Sequence, residues 1–439
     1  MPSRSWWATA GLLAAAQVSA QHLSAVERAR LVAAIWSEAR YNLPAWDRVQ
    51  ADWDSGFVDL LDAATTRQSD LSFHRRLRRF VALLGDGQAA VLPPAAVATR
   101  LARPPMVLRA VERRPFLIDY VENDEMRVAR PERNAEIIAV QGIPADVWIR
   151  DSVLPEVAAA GDAARWERAV AGMLDGEKGT AVHLQLRLPG RGGRGASVTR
   201  SITLTDRFPL TPPALRVDTL PDGVVWIRLA AFADPDVARS FDRALPDFAG
   251  VRGIILDLRD HDGLGGGGGR ETAYRILGRL IDRPLVTSRW RTPQYRPAYR
   301  GQDMPDSTGA WLATPPDTVP VRHDLTPFTG PLAVLAGART AGAAEDLLVA
   351  LRNAGRGPII GEASAGSAGQ VGEFRLYKDW RLRLTVTRDA FPDGTEIQGR
   401  GIAPEIPAGV KVTDFLAGRD PPLDRARRYI ADQGPRRSP

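Results

Sequence analysis

The sequence predicts an α/β fold: a core of strands buried on both faces, preceded by a helical region and a β-rich segment. Three observations carry this. Short, largely apolar runs at 224–229, 253–258, 332–335 and 358–360 are separated by helix-period stretches at 234–245, 271–281 and 343–353. That alternation builds a parallel sheet covered by helices. Residues 24–84 place apolar side chains at helical spacing, with Val26, Leu31, Ala34 and Ile35 in one set and Phe57, Leu60 and Leu61 in another. Between the two lies a mixed region, 106–205, with strand patterns at 106–120 and 136–140 and a helix at 166–173. It closes with a hairpin, 183–188 and 197–204, around a glycine-rich turn.

In order along the chain, Arg4 precedes the apolar run 6–16, and Val18-Ser19-Ala20 has the small residues of a signal-peptidase site. The run is too short to span a bilayer, so the reading is a signal peptide over 1–20, cleavage after Ala20 and an exported protein. No later segment is apolar enough for a membrane span. A helical region follows over 21–100, in which 72–84 is a basic amphipathic helix and 92–105 a proline-rich linker. The β-rich unit is expected over 101–210, the α/β core over 211–410 and a C-terminal tail helix over 411–439. Within the core, 374–387 alternates as a hairpin about Lys378-Asp379, and 285–290 reads as a strand.

Composition removes several functions. The 439-residue chain has no cysteine, which excludes a disulfide framework, a thiol nucleophile, a cysteine-based zinc site and an iron–sulfur cluster. The net charge of +6 is mild for this length, and no segment interleaves concentrated cations with aromatics, which argues against nucleic-acid binding. Gly263 to Gly268 matches GxGxxG, but the following strand ends in Arg289, Trp290 and Arg291 where a dinucleotide site needs an acid, and no Lys-Ser/Thr follows the glycines. No cofactor is expected. The remaining readings of the loop are backbone N–H groups that face an oxyanion, or a flexible turn.

Several segments, in one order, resemble the tail-specific (C-terminal-processing) serine proteases and the tricorn core. The run 254–259 (IILDLR) before the glycine loop resembles that family's "IDLR-GNxGG"; 331–335 with Thr340-Ala341-Gly342-Ala343-Ala344-Glu345-Asp346 resembles "VLv…TxSAAED". Gly361-Glu362-Ala363-Ser364-Ala365-Gly366-Ser367 resembles "GExTxGx", and 392–405 the closing "PDGxxxxGxGIxPD". Leu83 to Gln88 resembles "LLxDGHT", and 136–144 resembles the PDZ-like insert. The resemblance spans about 30–410. It implies a ClpP/crotonase-like α/β core with an N-terminal helical region and a PDZ-like insert.

The departures change the expected chemistry. The family's nucleophilic serine falls on Gly342, its histidine on Gln88, and the lysine some members use falls near Ser367. Glycine has no nucleophile, and glutamine cannot take and return a proton near neutral pH. Loss of a nucleophile alone costs about 10⁶ in turnover. The substitute candidates are Ser364 and Ser367 on a neighbouring turn, with His261 beside the glycine loop as base; His261 also reads simply as a wet loop residue. Thr340 is two positions away and turned aside. His74 lies on an arginine-rich face and reads as solvated. Glu396 and Gln398 lie near the position of the assisting glutamate of tricorn-like members. Glu345 and Asp346 read as helix-dipole partners. The binding apparatus is expected to persist in Gly263, Gly265, Gly266, Ala343 and Gln370, and the strand with Arg289, Trp290, Arg291 and Tyr295 reads either as a groove wall or as an exposed edge. The expected function is an exported, hydrolytically impaired family member that binds peptide or unfolded protein termini. The alternatives are an active endopeptidase using Ser364 or Ser367, and an assembly protein without a ligand.

Overall fold

The computed structural model describes residues 22–190, 195–208, 213–245, 248, 250–263, 269–294 and 311–433. The expected signal peptide, Gly265, Gly266 and Tyr295 lie outside them. The core is a six-stranded sheet in the order Leu215–Thr219, Val224–Leu229, Gly253–Asp257, Leu332–Ala336, Ile359–Gly361, Ile406–Pro407. The first pair is antiparallel and the other four pairings are parallel. The two central strands, Gly253–Asp257 and Leu332–Ala336, are buried at every position, which is why they read as unbroken apolar runs.

Alternate side chains of these strands feed two cores. Ile254, Leu256 and Val334 meet helices Asp236–Ala244, Gly269–Leu277 and Ala343–Ala354 through Phe241, Ile276 and Leu347. Ile255, Ala333 and Ile360 meet helix Pro421–Gln433 through Ala426 and Ile430. A Cβ at Gly253 would come within 2.3 Å of Ile430, so glycine permits that close approach. The C-terminal stretch expected as a tail therefore covers the second face of the core sheet.

The N-terminal helices are Ala25–Asn42, Trp53–Thr65 and Asp70–Ala82, capped by Ser24, Asp52 and Ser69. Their core shares Trp380, Leu382 and Leu384 with the hairpin Val371–Arg375/Arg381–Thr385. Strand Ala90–Leu92 pairs with that same hairpin. The ladder and the shared core fix the turn at 83–89 against the α/β unit. The insert is a five-stranded antiparallel path, Met106–Val111, Arg114–Tyr120, Glu136–Val140, Ala181–Arg187, Ser197–Thr203.

Four local readings change. The proline-rich 92–105 holds helix Ala95–Ala98 and strand Leu101–Ala102. The expected strand 285–290 is two strands in different sheets, Leu285–Val286 and Arg289–Pro293. Thr287 and Ser288 between them turn aside to donate to the Asp346 carbonyl (2.8 Å) and carboxylate (2.6 Å). Arg289–Pro293 is the middle strand of its sheet, not an edge. His74 is buried against Trp380, with Nε2 3.1 Å from the Val91 carbonyl.

Candidate active-site cleft

Loops at the C-terminal ends of the parallel strands meet the turn that follows Asp70–Ala82, the usual location of a site on an open α/β sheet. They enclose a cavity of about 350 Å³ lined by Gln88, His261, Gly263, Gly342, Ala343 and Gln370, among others. Seven of the residues singled out by sequence, Asp346 among them, thus face one space.

Gly342 is the N-cap of helix Ala343–Ala354, with φ 62° and ψ −129°. That backbone region suits glycine and strains other residues. A Cβ built there would lie 3.2 Å from Gln88 Nε2 and 3.3 Å from Gly263 Cα. The positions aligned with nucleophile and base are therefore neighbours in space. Gln88 is buried; its Nε2 donates to the Ser367 carbonyl (3.0 Å) and its backbone N–H to Asp86 (2.9 Å). Asp86 in turn accepts from Thr385 N (2.8 Å) and Oγ1 (2.6 Å), which ties the turn to the core hairpin. Gln88 Oε1 has no hydrogen-bond partner. At the head of helix Ala343–Ala354, Ala344 N–H donates to the Ala341 carbonyl (3.4 Å) and Glu345 N–H to the Gly342 carbonyl (2.8 Å), which leaves Ala343 N–H at the positive end of the helix dipole, where it suits a carbonyl or carboxylate oxygen.

The candidate hydroxyls sit otherwise. Thr340 Oγ1 donates to the Leu258 carbonyl (2.9 Å) and accepts from Gly337 N (3.0 Å). Ser364 Oγ donates to Glu345 Oε1 (2.5 Å) and accepts from Ile402 N (2.8 Å). Ser367 Oγ is buried without a partner, and a Cβ on Gly87 would overlap it at 1.9 Å. Ser364 and Ser367 are not among the residues that line the cleft. Glu345 is fully buried and also accepts from Gly366 N and Ser367 N, both at 2.8 Å. Burial pushes its carboxyl up to about 7. It is a strut for the 364–367 turn rather than an exposed dipole partner.

His261 is dry, not wet. It packs on Phe232 (ring centroids 4.3 Å apart), and Nδ1 lies 3.2 Å from the Ala341 carbonyl, an arrangement that places its proton on Nδ1. Burial lowers its pKa and keeps it neutral, and Nε2 has no partner. Glu396 is held by Arg48 (2.8 Å), Arg388 (2.6 Å) and Arg291 (3.0 Å). Burial raises that carboxyl, but the bonds to Arg388 and Arg48 outweigh burial and leave it below its ordinary value. Glu396 does not line the cleft. Gln398 donates to the Ala368 and Thr387 carbonyls at 3.1 Å each.

Sequence reasoning missed a charged network that lines the cleft through Arg270 and Asp346 and runs behind it to Asp389. Arg270 donates to Asp346 (2.7 Å) and Asp389 (2.9 Å), and Asp389 also accepts from Thr387 Oγ1 (2.9 Å). Burial and the like charge of Asp346 push Asp389 up to about 7. Arg168, on insert helix Asp162–Gly172, donates to the Gly87 and Ala158 carbonyls beside Gln88. These partners are far apart in sequence, so no local pattern marks them.

The family model of peptidase family S41 matches residues 223–408. Residues 223–408 are thus similar to an S41 peptidase core. Carboxyl-terminal-processing peptidase 2, chloroplastic, of Arabidopsis thaliana is 27% identical over 245 residues, 54% of this chain and 41% of that protein. Carboxy-terminal processing protease CtpA of Bacillus subtilis is 26% identical over 307 residues, 68% of this chain and 58% of that protein. The chain thus spans about half the length of the curated relatives it matches. Among solved structures, mature CPAF superposes with a TM-score of 0.70 at 15% identity, over 93% of this chain and 98% of that one. A putative peptidase from Parabacteroides merdae gives 0.54 at 14%, over 93% and 97%. At these identities the structures share the S41 fold. The α/β architecture with its helical N-terminal region is that of the S41 relatives.

Proposed function

We propose that this chain is an exported S41-family protein that binds peptide or protein termini and hydrolyses them poorly or not at all. The observation that carries the reading is the apposition of Gly342 and Gln88 at the head of helix Ala343–Ala354, where a Cβ on residue 342 would lie 3.2 Å from Gln88 Nε2. The geometry of a nucleophile–base pair is present without a nucleophile or a proton acceptor. The two tethered hydroxyls, Thr340 and Ser364, support it, because neither has an acceptor that would take its proton toward the cleft. Gly263 and Ala343 line the cleft where they would hold a carbonyl or carboxylate oxygen, and the relatives named for carboxyl-terminal processing point to peptide termini as the ligand class. Export rests on the 1–20 leader pattern; among the described residues no helix is long and apolar enough to cross a membrane.

The test is hydrolysis of a casein-like unstructured substrate by the protein from Gln21, beside the double variant Gly342→Ser with Gln88→His. A silent parent and a cutting variant sustain the reading. Cleavage by the parent overturns it. One observation favours a second reading: Ser367 Oγ is the candidate hydroxyl with no partner. Parent activity abolished by Ser367→Ala would establish an endopeptidase with a relocated nucleophile. A flat titration with both C-terminal and internal peptides would instead leave an assembly role.

A further inference from the structure

The arginine-rich face of helix Asp70–Ala82 is not used by the cleft, and the structure shows what it joins. Three of its arginines share one carboxylate. Arg75 (2.8 Å), Arg78 (3.4 Å) and Arg79 (3.5 Å) all converge on Glu156, whose side chain is only 5% exposed. Arg76, one turn from Arg79, is exposed and has no ion pair among the described residues. The face continues onto the insert. Asp175 takes Arg103 through both Nε (2.5 Å) and Nη2 (2.6 Å), and leaves Arg207 at 3.7 Å. Burial lowers the pKa of Arg207; Asp175 opposes that, and the nearby charges of Arg103 and Arg78 lower it further. The adjoining pairs Arg100–Glu177 and Lys178–Asp206 neutralise themselves.

Five arginines thus share two carboxylates and Arg76 adds an unpaired cation on the same helix, a local excess of four positive charges in a chain whose total is +6. The two carboxylates present show how the surface takes an anion. Arg75 grips Glu156, and Arg103 grips Asp175, each through Nε and Nη2 along the guanidinium edge. Glu156 and Asp175 are recessed, so the free donors of Arg76, Arg78, Arg79 and Arg207 surround filled positions instead of forming a flat sheet of charge. That relief fits side-chain carboxylates on a chain better than the plane of a bilayer.

We infer that this seam between helix Asp70–Ala82 and the insert is a docking surface for an acidic protein segment, whose Glu or Asp side chains extend the two carboxylate grips already built. The surface is independent of the cleft, and the inference does not rest on the reading of Gly342.

The test uses the full chain and a fluorescein-labelled Glu-rich peptide, followed by anisotropy, beside the same peptide with Gln for Glu. The expected result is binding of the Glu peptide alone, weakened by about tenfold or more in roughly 0.5 M salt. The double variant Arg76→Ala with Arg207→Ala loses binding by a similar factor. Both side chains are exposed, so its thermal unfolding midpoint stays with the parent's. A distant control, Arg216→Ala, leaves binding unchanged. Equal binding by the double variant overturns the inference. So does retention on phosphatidylserine vesicles without peptide binding, and so does full competition by millimolar inorganic phosphate, which would mark a simple anion site.

Discussion

Alanine at position 342 is expected to destabilise the core by about 1–2 kcal/mol. The native backbone there has φ 62° and ψ −129°. Holding a residue with a Cβ in such a region costs about 1–3 kcal/mol. The loss of unfolded-chain freedom on Gly→Ala returns about 0.4–1 kcal/mol. The new Cβ also meets Gln88 Nε2 at 3.2 Å, and that amide is anchored on the Ser367 carbonyl at 3.0 Å, so a few tenths of an ångström must come from a tethered group. Urea unfolding of Gly342→Ala at unchanged slope reads the total. A cycle with Gln88→Ala isolates the contact share, expected near 0.5 kcal/mol, because truncation of Gln88 removes the neighbour but not the backbone strain. A neutral or stabilising Gly342→Ala would refute the reasoning, since it would mean the turn is not held in this conformation. Serine shares that Cβ, so a serine at 342 carries the same backbone cost.

Two further predictions concern buried titrating groups. Burial lowers His74 from 6.5 to about 4, so the unfolded chain binds its proton first; stability falls as pH drops from about 6.5 to about 4, by up to about 3 kcal/mol, and His74→Gln abolishes that slope in urea unfolding at pH 4.5 and 7. Glu345 acts in the opposite sense: its carboxyl, raised from 4.5 to about 7, favours the fold below 4.5 and loses that contribution as pH rises through 7. Glu345→Gln is therefore expected to steepen acid destabilisation, and an unchanged pH profile would show that Glu345 does not titrate there.

Much of the core was legible because its physics is local. The strands at 224–229 and 253–257 sit where the apolar runs placed them, since strands buried on both faces tolerate little else. The hairpin about Lys378-Asp379 was legible from alternation, and both residues take positive φ in the turn. What failed is tertiary. A histidine flanked by arginines reads as solvated, yet His74 faces inward because Leu71, Leu77 and Phe80 fix which side of the helix is buried. His261 is dry because Phe232 covers it. The strand at 285–290 breaks because Thr287 and Ser288 bond to a helix roughly sixty residues away. Helix Asp124–Ala129 is short and has only two buried side chains, too few to print a period.

The cost of the network at the cleft bears on why a disarmed site would keep its shape. Asp346 and Asp389 are buried acids paired with the partly exposed Arg270, and such groups stabilise a fold weakly at best against well-packed apolar residues. What they do hold is geometry. Asp346 lies in the first turn of helix Ala343–Ala354, and its carboxylate is pinned from one side by Arg270 and from the other by Ser288 at 2.6 Å. Glu345, one residue earlier, is pinned to the 364–367 turn, and that turn receives Gln88. The helix start is therefore aimed from two directions, and the groups it aims are backbone N–H donors, which a change of side chain at 342 leaves in place. Such an arrangement fixes the start of the helix whatever side chain stands at 342, as the proposed binding of a terminal oxygen at Ala343 would need.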